Sequence, residues 1–135
     1  MADNPLATAT IAWLTGVFDP AQPSTLRRWV RAHAVPAVPD IDVLNALVLV
    51  LNEAVTLSGP AATADEPVTV ELWREPEMLR FLVACDASLP ALSREQLPAD
   101  QRLRALWLTM QVNPVIQVTI TPGLITVTVP ARRWS

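Results

Sequence analysis

The chain has 135 residues, one histidine, one cysteine and a formal net charge of −3. That length fits one domain spanning 1–135, and the counts exclude an internal disulfide and a Cys/His metal cluster. The acidic balance argues against a nucleic-acid binder, which ordinarily shows a basic excess.

Apolar residues make up 51% of the chain and charged residues 17%, so it has the means to build a packed core. All the basic residues are arginine. "ATATIAWLTGVF", Ala7 to Phe18, has the length of a signal-peptide core. It lacks the basic lead-in, since Asp3 precedes it and the first arginine is Arg27. It reads as an N-terminal strand or packing segment of a cytoplasmic protein.

"DPAQP" forms a turn, after which Ser24 is the expected N-cap of a helix. Leu26, Trp29, Val30 and His33 fall on one helical stripe, with Arg27, Arg28 and Arg31 away from it. His33 reads as a hydrogen-bonded histidine at the core edge, with no Ser, Asp or second His placed for a relay. Asp40 caps a second helix, expected from Ile41 to Ser58 and stopped by Gly59-Pro60. This helix is apolar nearly all round, which predicts burial on most sides. Its longest uncharged run, Val43 to Asn52, falls short of the ~20 residues of a membrane span. Counting 100° per residue, Asp42, Asn45, Asn52, Glu53 and Thr56 share one side, with Leu49 among them.

Beyond the "AATADE" loop the periodicity changes from helical to alternating. "PVTVELW" and "MLRFLVACD" predict a hairpin turned by "REPE", with strands at Val68–Leu72 and Leu79–Cys85. "ASLPALSREQLPAD", Ala87 to Asp100, is an irregular connection without glycine. "QRLRALWLTMQV" predicts a third helix, ended by Asn113-Pro114. Strands at Val115–Thr121 and Leu124–Pro130 follow, joined by a type II turn with Pro122 and Gly123 at its centre. The expected architecture is α/β, a two-layer sandwich of a mixed, mostly antiparallel sheet with helices on one face. Cys85 reads as an inert strand thiol.

This order of elements resembles the GHKL (histidine-kinase-like) ATPase domain, and within it the small actinobacterial anti-sigma-factor serine kinase proteins. The likeness covers about Asp19 to Arg132. "DPAQPSTLRRWVRA" is similar to the family's first helix and its lead-in. "LVLNEAVTLS" is similar to its N box, with Glu53 at the Glu and Val55-Thr56 at the Val-Thr. Leu57 stands where the family has Asn. "FLVACDAS" resembles the strand ending in the adenine-binding Asp, here Asp86.

The resemblance implies that the face carrying Glu53 and residue 57 looks onto a nucleotide. It implies a Glu that activates a hydroxyl and an Asn carbonyl that binds Mg²⁺. Leu57 offers no oxygen, although Mg²⁺ requires hard oxygen ligands. The Ala87–Val112 stretch has no glycine to let backbone N–H groups close on phosphates. The expectation is therefore a non-catalytic regulatory domain with relic positions Glu53, Leu57 and Asp86 and no bound cofactor. Its partner is a protein, by resemblance a sigma factor or an anti-sigma antagonist, and neither a membrane nor a nucleic acid. Arg27, Arg28, Trp29 and Arg31 are the expected interface. Two alternatives stay open: an active serine kinase using Mg-ATP, Glu53 and Asp86, and a structural homodimer with tryptophans at its interface.

Overall fold

The computed structural model describes residues 12–58 and 67–131. Five strands form one sheet: β1 (Ala12–Phe18), β2 (Val68–Glu75), β3 (Met78–Ala84), β4 (Gln117–Thr121) and β5 (Leu124–Pro130). The three helices are α1 (Pro23–Ala34), α2 (Ile41–Ser58) and α3 (Arg104–Val112). A 3₁₀ turn at Gln101–Leu103 leads into α3.

The sheet order is β1-β2-β3-β5-β4. All four pairings are antiparallel, so within the described residues the sheet is not mixed. Alternation sorts the two faces. Val70, Leu72, Phe81, Val83, Ile125 and Val127 are fully buried on the inner face. The other face carries Thr15, Thr69, Thr119, Thr126 and Thr128 together with Trp13 and Trp73. Those two indoles meet edge to face at 6.3 Å, and Trp13 Nε1 donates to Glu71 Oε1 at 2.8 Å.

α2 lies in the middle of the helical layer and contacts α1, α3 and the sheet. Leu47, Val50, Leu51 and Ala54 are fully buried. Its mean hydropathy of 1.6 over 18 residues is high enough, by length and composition, to cross a membrane. The expectation of a run too short for that does not hold for the helix as a whole. Half of the helix is buried within the fold, and that burial accounts for its hydropathy. The expected side of Asp42, Asn45, Asn52, Glu53 and Thr56 does face outward, fully or in part. Leu49 stands among them, 59% exposed.

Local chemistry sets the helix ends. The Asp40 carboxylate accepts from the Asp42 N–H at 2.9 Å and caps α2 as expected. Ser24 does not cap α1. The helix begins two residues earlier than a Ser24 cap implies, with Pro23 in its first turn and no side-chain cap from Gln22; proline's fixed φ suits that position, where its missing N–H costs nothing. The Gly59-Pro60 stop and residues 7–11 of the N-terminal segment lie outside the described residues. At the other end of α1, Arg74 of β2 donates to the His33 carbonyl at 2.9 Å. That places a cation at the negative end of the helix dipole and fastens α1 to the sheet.

The β1–α1 corner is closed by aromatic rings. Trp29 packs edge to face on Phe18 (5.2 Å), His33 (5.3 Å) and Phe81 (6.4 Å). Gly16 makes room for them: a Cβ there would stand 2.4 Å from the Phe18 ring and 2.9 Å from the Trp29 ring.

Candidate functional site

The last turn of α2 meets the end of β3. The Ser58 hydroxyl stands 3.1 Å from the Ala54 carbonyl and donates also to the Ala84 carbonyl. Ser58 follows Leu57 directly, and Ala84 precedes Asp86 by two residues. One end of the fold thus gathers Leu57 and the β3 terminus, with Glu53 a turn further back along α2.

Their chemistry differs from what the resemblance requires. Leu57 is half-buried and packs against the core, so that position offers hydrocarbon where a metal ligand would sit. Glu53 is half-buried. Asp86 is exposed, and its Oδ1 accepts from the Ser88 N–H at 2.8 Å while its own carbonyl accepts from the Leu89 N–H at 3.1 Å. This is a turn-forming aspartate. Hydrogen bonds from the Ser88 backbone and hydroxyl hold its carboxyl below the usual aspartate range, and the charge of Arg102 pulls it the same way. Arg102 is itself held by Asp100, with Nη2 to Oδ2 at 2.6 Å. Burial, followed by the neighbouring Asp86 charge, pushes the Cys85 thiol up, which leaves little thiolate at neutral pH. Leu57 does not fit a Mg-nucleotide held as the resemblance implies, whereas the exposed Asp86 carboxylate keeps capacity to accept further hydrogen bonds.

The connection after β3 is fixed by a residue that carries no motif. Arg94 donates from Nη1 to the Met110 carbonyl at 2.8 Å and from Nη2 to the Ile116 carbonyl at 2.9 Å. Its own carbonyl accepts from Trp107 Nε1 at 3.2 Å and Gln111 Nε2 at 2.7 Å. These bonds staple the Ala87–Asp100 segment to α3 and to the approach to β4. The guanidinium also satisfies a carbonyl left open at the end of α3. A phosphate lid has to move; this segment is tied down at its centre. Nothing in the spacing around Arg94 announces the role, because both acceptors are backbone groups more than fifteen positions away.

The arginines of α1 form a second region. Arg27, Arg28 and Arg31 are exposed, whereas Trp29 beside them turns into the aromatic cluster and is half-buried. Arg31 Nη2 donates to Asn45 Oδ1 of α2 at 3.1 Å. Between the helices runs a groove of about 490 Å³ whose lining includes Arg27, Arg31, Asn45, Val48, Leu49 and Asn52.

No protein-family model matches the chain, and neither does any curated protein.

Proposed function

We propose that this chain is a non-catalytic regulatory domain of the histidine-kinase-like type. It acts in the cytoplasm by binding another protein, with its nucleotide site degraded. By the resemblance, the partner is a sigma factor or an anti-sigma antagonist. The observation that carries the reading is Leu57, a hydrocarbon packed against the core where the N box supplies the oxygen for Mg²⁺. The Arg94 staple on the connection after β3 supports it independently, since phosphate binding needs a mobile, glycine-bearing lid.

Calorimetric titration and thermal melts with Mg-ATP and Mg-ADP test the reading. A ligand at ~100 times its dissociation constant adds about 2.7 kcal/mol of stability. The expected result is no heat of binding and an unmoved melting temperature. Micromolar ATP affinity, or phosphate transfer to serine that disappears in Glu53→Gln, would overturn it in favour of an active kinase. A companion variant, Leu57→Asn, restores the missing oxygen at a half-exposed position. It is expected to fold and to gain measurable affinity for Mg-ADP.

A further inference from the structure

We infer that the groove between α1 and α2 is the docking site for an acidic amphipathic helix of a partner protein. This rests on the protein-binding reading above and names where and what it binds.

The charge is uncompensated. α1 holds Arg27, Arg28 and Arg31 and no acidic residue. Among the described residues, none of the three forms an ion pair. In a chain of net charge −3 this is a local cationic patch, of which Arg27 and Arg31 line the groove and Arg31 reaches across it to Asn45. Guanidinium groups there are matched by carboxylates, which they bind in a bidentate fork.

The groove floor is apolar. Val48 forms its base, and Leu49 stands exposed in the middle of an otherwise polar side of α2. An occupant therefore presents an apolar side chain as well as carboxylates.

The spacing is helical on both banks. Arg27 and Arg31 lie one turn apart on α1. Asn45, Leu49 and Asn52 recur at intervals of four and three on α2. A helix laid between them repeats with the same period of about 5.4 Å. It offers a carboxylate to each arginine, an apolar residue to Val48 and Leu49, and polar groups to the two asparagines. This is helix-in-groove recognition.

The observations do not favour a membrane or a nucleic acid. Three arginines are fewer than the ~4–8 basic residues of a lipid-binding cluster, and the apolar Val48 and Leu49 in the groove match an apolar side chain rather than a phosphate backbone.

The test is selection from a peptide-display library against the full chain, followed by titration of the selected peptides by fluorescence anisotropy. Selected sequences are expected to be acidic, with leucine-like residues at helical spacing. Arg31→Glu and Leu49→Ala should each weaken them about tenfold or more. Arg104→Glu makes the same charge change outside the groove and should leave binding unaltered. All three positions carry exposed side chains, and circular dichroism checks that the variants fold. Binding should also weaken between ~0.1 M and ~1 M salt, where screening shortens from about 10 Å to about 3 Å.

Selected peptides without acidic bias overturn the inference, as does binding that survives Arg31→Glu or a library that yields no binder. Retention on phosphatidylglycerol vesicles or binding of pyrophosphate, each abolished by Arg31→Glu and without peptide binding, would reassign the arginines to a phosphate ligand. The nucleotide titration stays independent. ATP binding would remove the degraded-site reading without touching the groove, and failure of the peptides would remove the groove without restoring a nucleotide site.

Discussion

The Ser58 hydroxyl donates to the Ala84 carbonyl, joining the last turn of the central helix to the end of a central strand. Ser58 is only 6% exposed. Ser58→Ala leaves the carbonyl without this partner and is expected to cost about 1–2 kcal/mol in urea denaturation. A value within error of wild type would show that the contact contributes nothing net.

Gly16 faces two rings. Gly16→Ala forces the buried Phe18 ring to shift, and overpacking of this kind costs about 1–3 kcal/mol. Because Trp29 is in the same cluster, near-ultraviolet circular dichroism should change along with the melting temperature. Unchanged spectra would mean that the corner has more slack than its distances imply.

Arg94→Ala removes two charge-assisted bonds to carbonyls. The expected loss is about 2–3 kcal/mol, together with faster limited proteolysis between Ala87 and Asp100 than elsewhere in the chain. Uniformly faster cleavage would instead indicate global destabilisation. Arg94→Lys restores the charge but not the fork, and should recover only part of the protection.

Asp86 and Asp100 are both held below the ordinary aspartate value of 3.8, the first by Ser88 and the second by Arg102. A carboxyl whose folded pKa is depressed contributes stability that is fully present above its unfolded pKa. That contribution is lost as pH falls through the folded pKa. Thermal melts should therefore be flat through neutrality on this account and decline below about pH 4. The Asp100→Asn variant should show a shallower acid decline. An equally steep decline would place the acid sensitivity elsewhere.

Much of this architecture is legible in the residue pattern. α2 has the expected bounds, Ile41–Ser58, because the Asp40 cap and the hydrophobic period agree there. The strand alternation holds wherever one face is buried. The errors fall where hydrogen bonds and ion pairs invisible in the periodicity lengthen or shorten an element. "REPE" reads as a turn, yet β2 continues to Glu75, because Arg74 reaches the His33 carbonyl and Glu75 pairs with Arg80 at 3.2 Å. At the start of β4, Val115 and Ile116 precede the strand, since the Ile116 N–H is spent on the Asn113 carbonyl. The candidate site divides in the same way. Leu57 and the glycine-free connection are visible in the string, whereas the Arg94 staple and the groove depend on groups far apart along it.

The register of β1 against β2 bears on how the chain folds as it is made. The nearest pair in that ladder, Phe18 with Val68, spans about fifty positions, whereas β2 and β3 close a hairpin from adjacent sequence. A strand with so distant a partner leaves the ribosome long before that partner exists, and distant pairings form slowly because the loop between them must close first. β1 should therefore be the last strand to zip onto the sheet, waiting as an unpaired segment while α1 and α2 are synthesised. Pulse-labelling hydrogen exchange during refolding should find the amides of β2 and β3 protected before those of Trp13 to Val17. Simultaneous protection would mean that α1 and α2 bring the first strand into place as early as the hairpin itself forms.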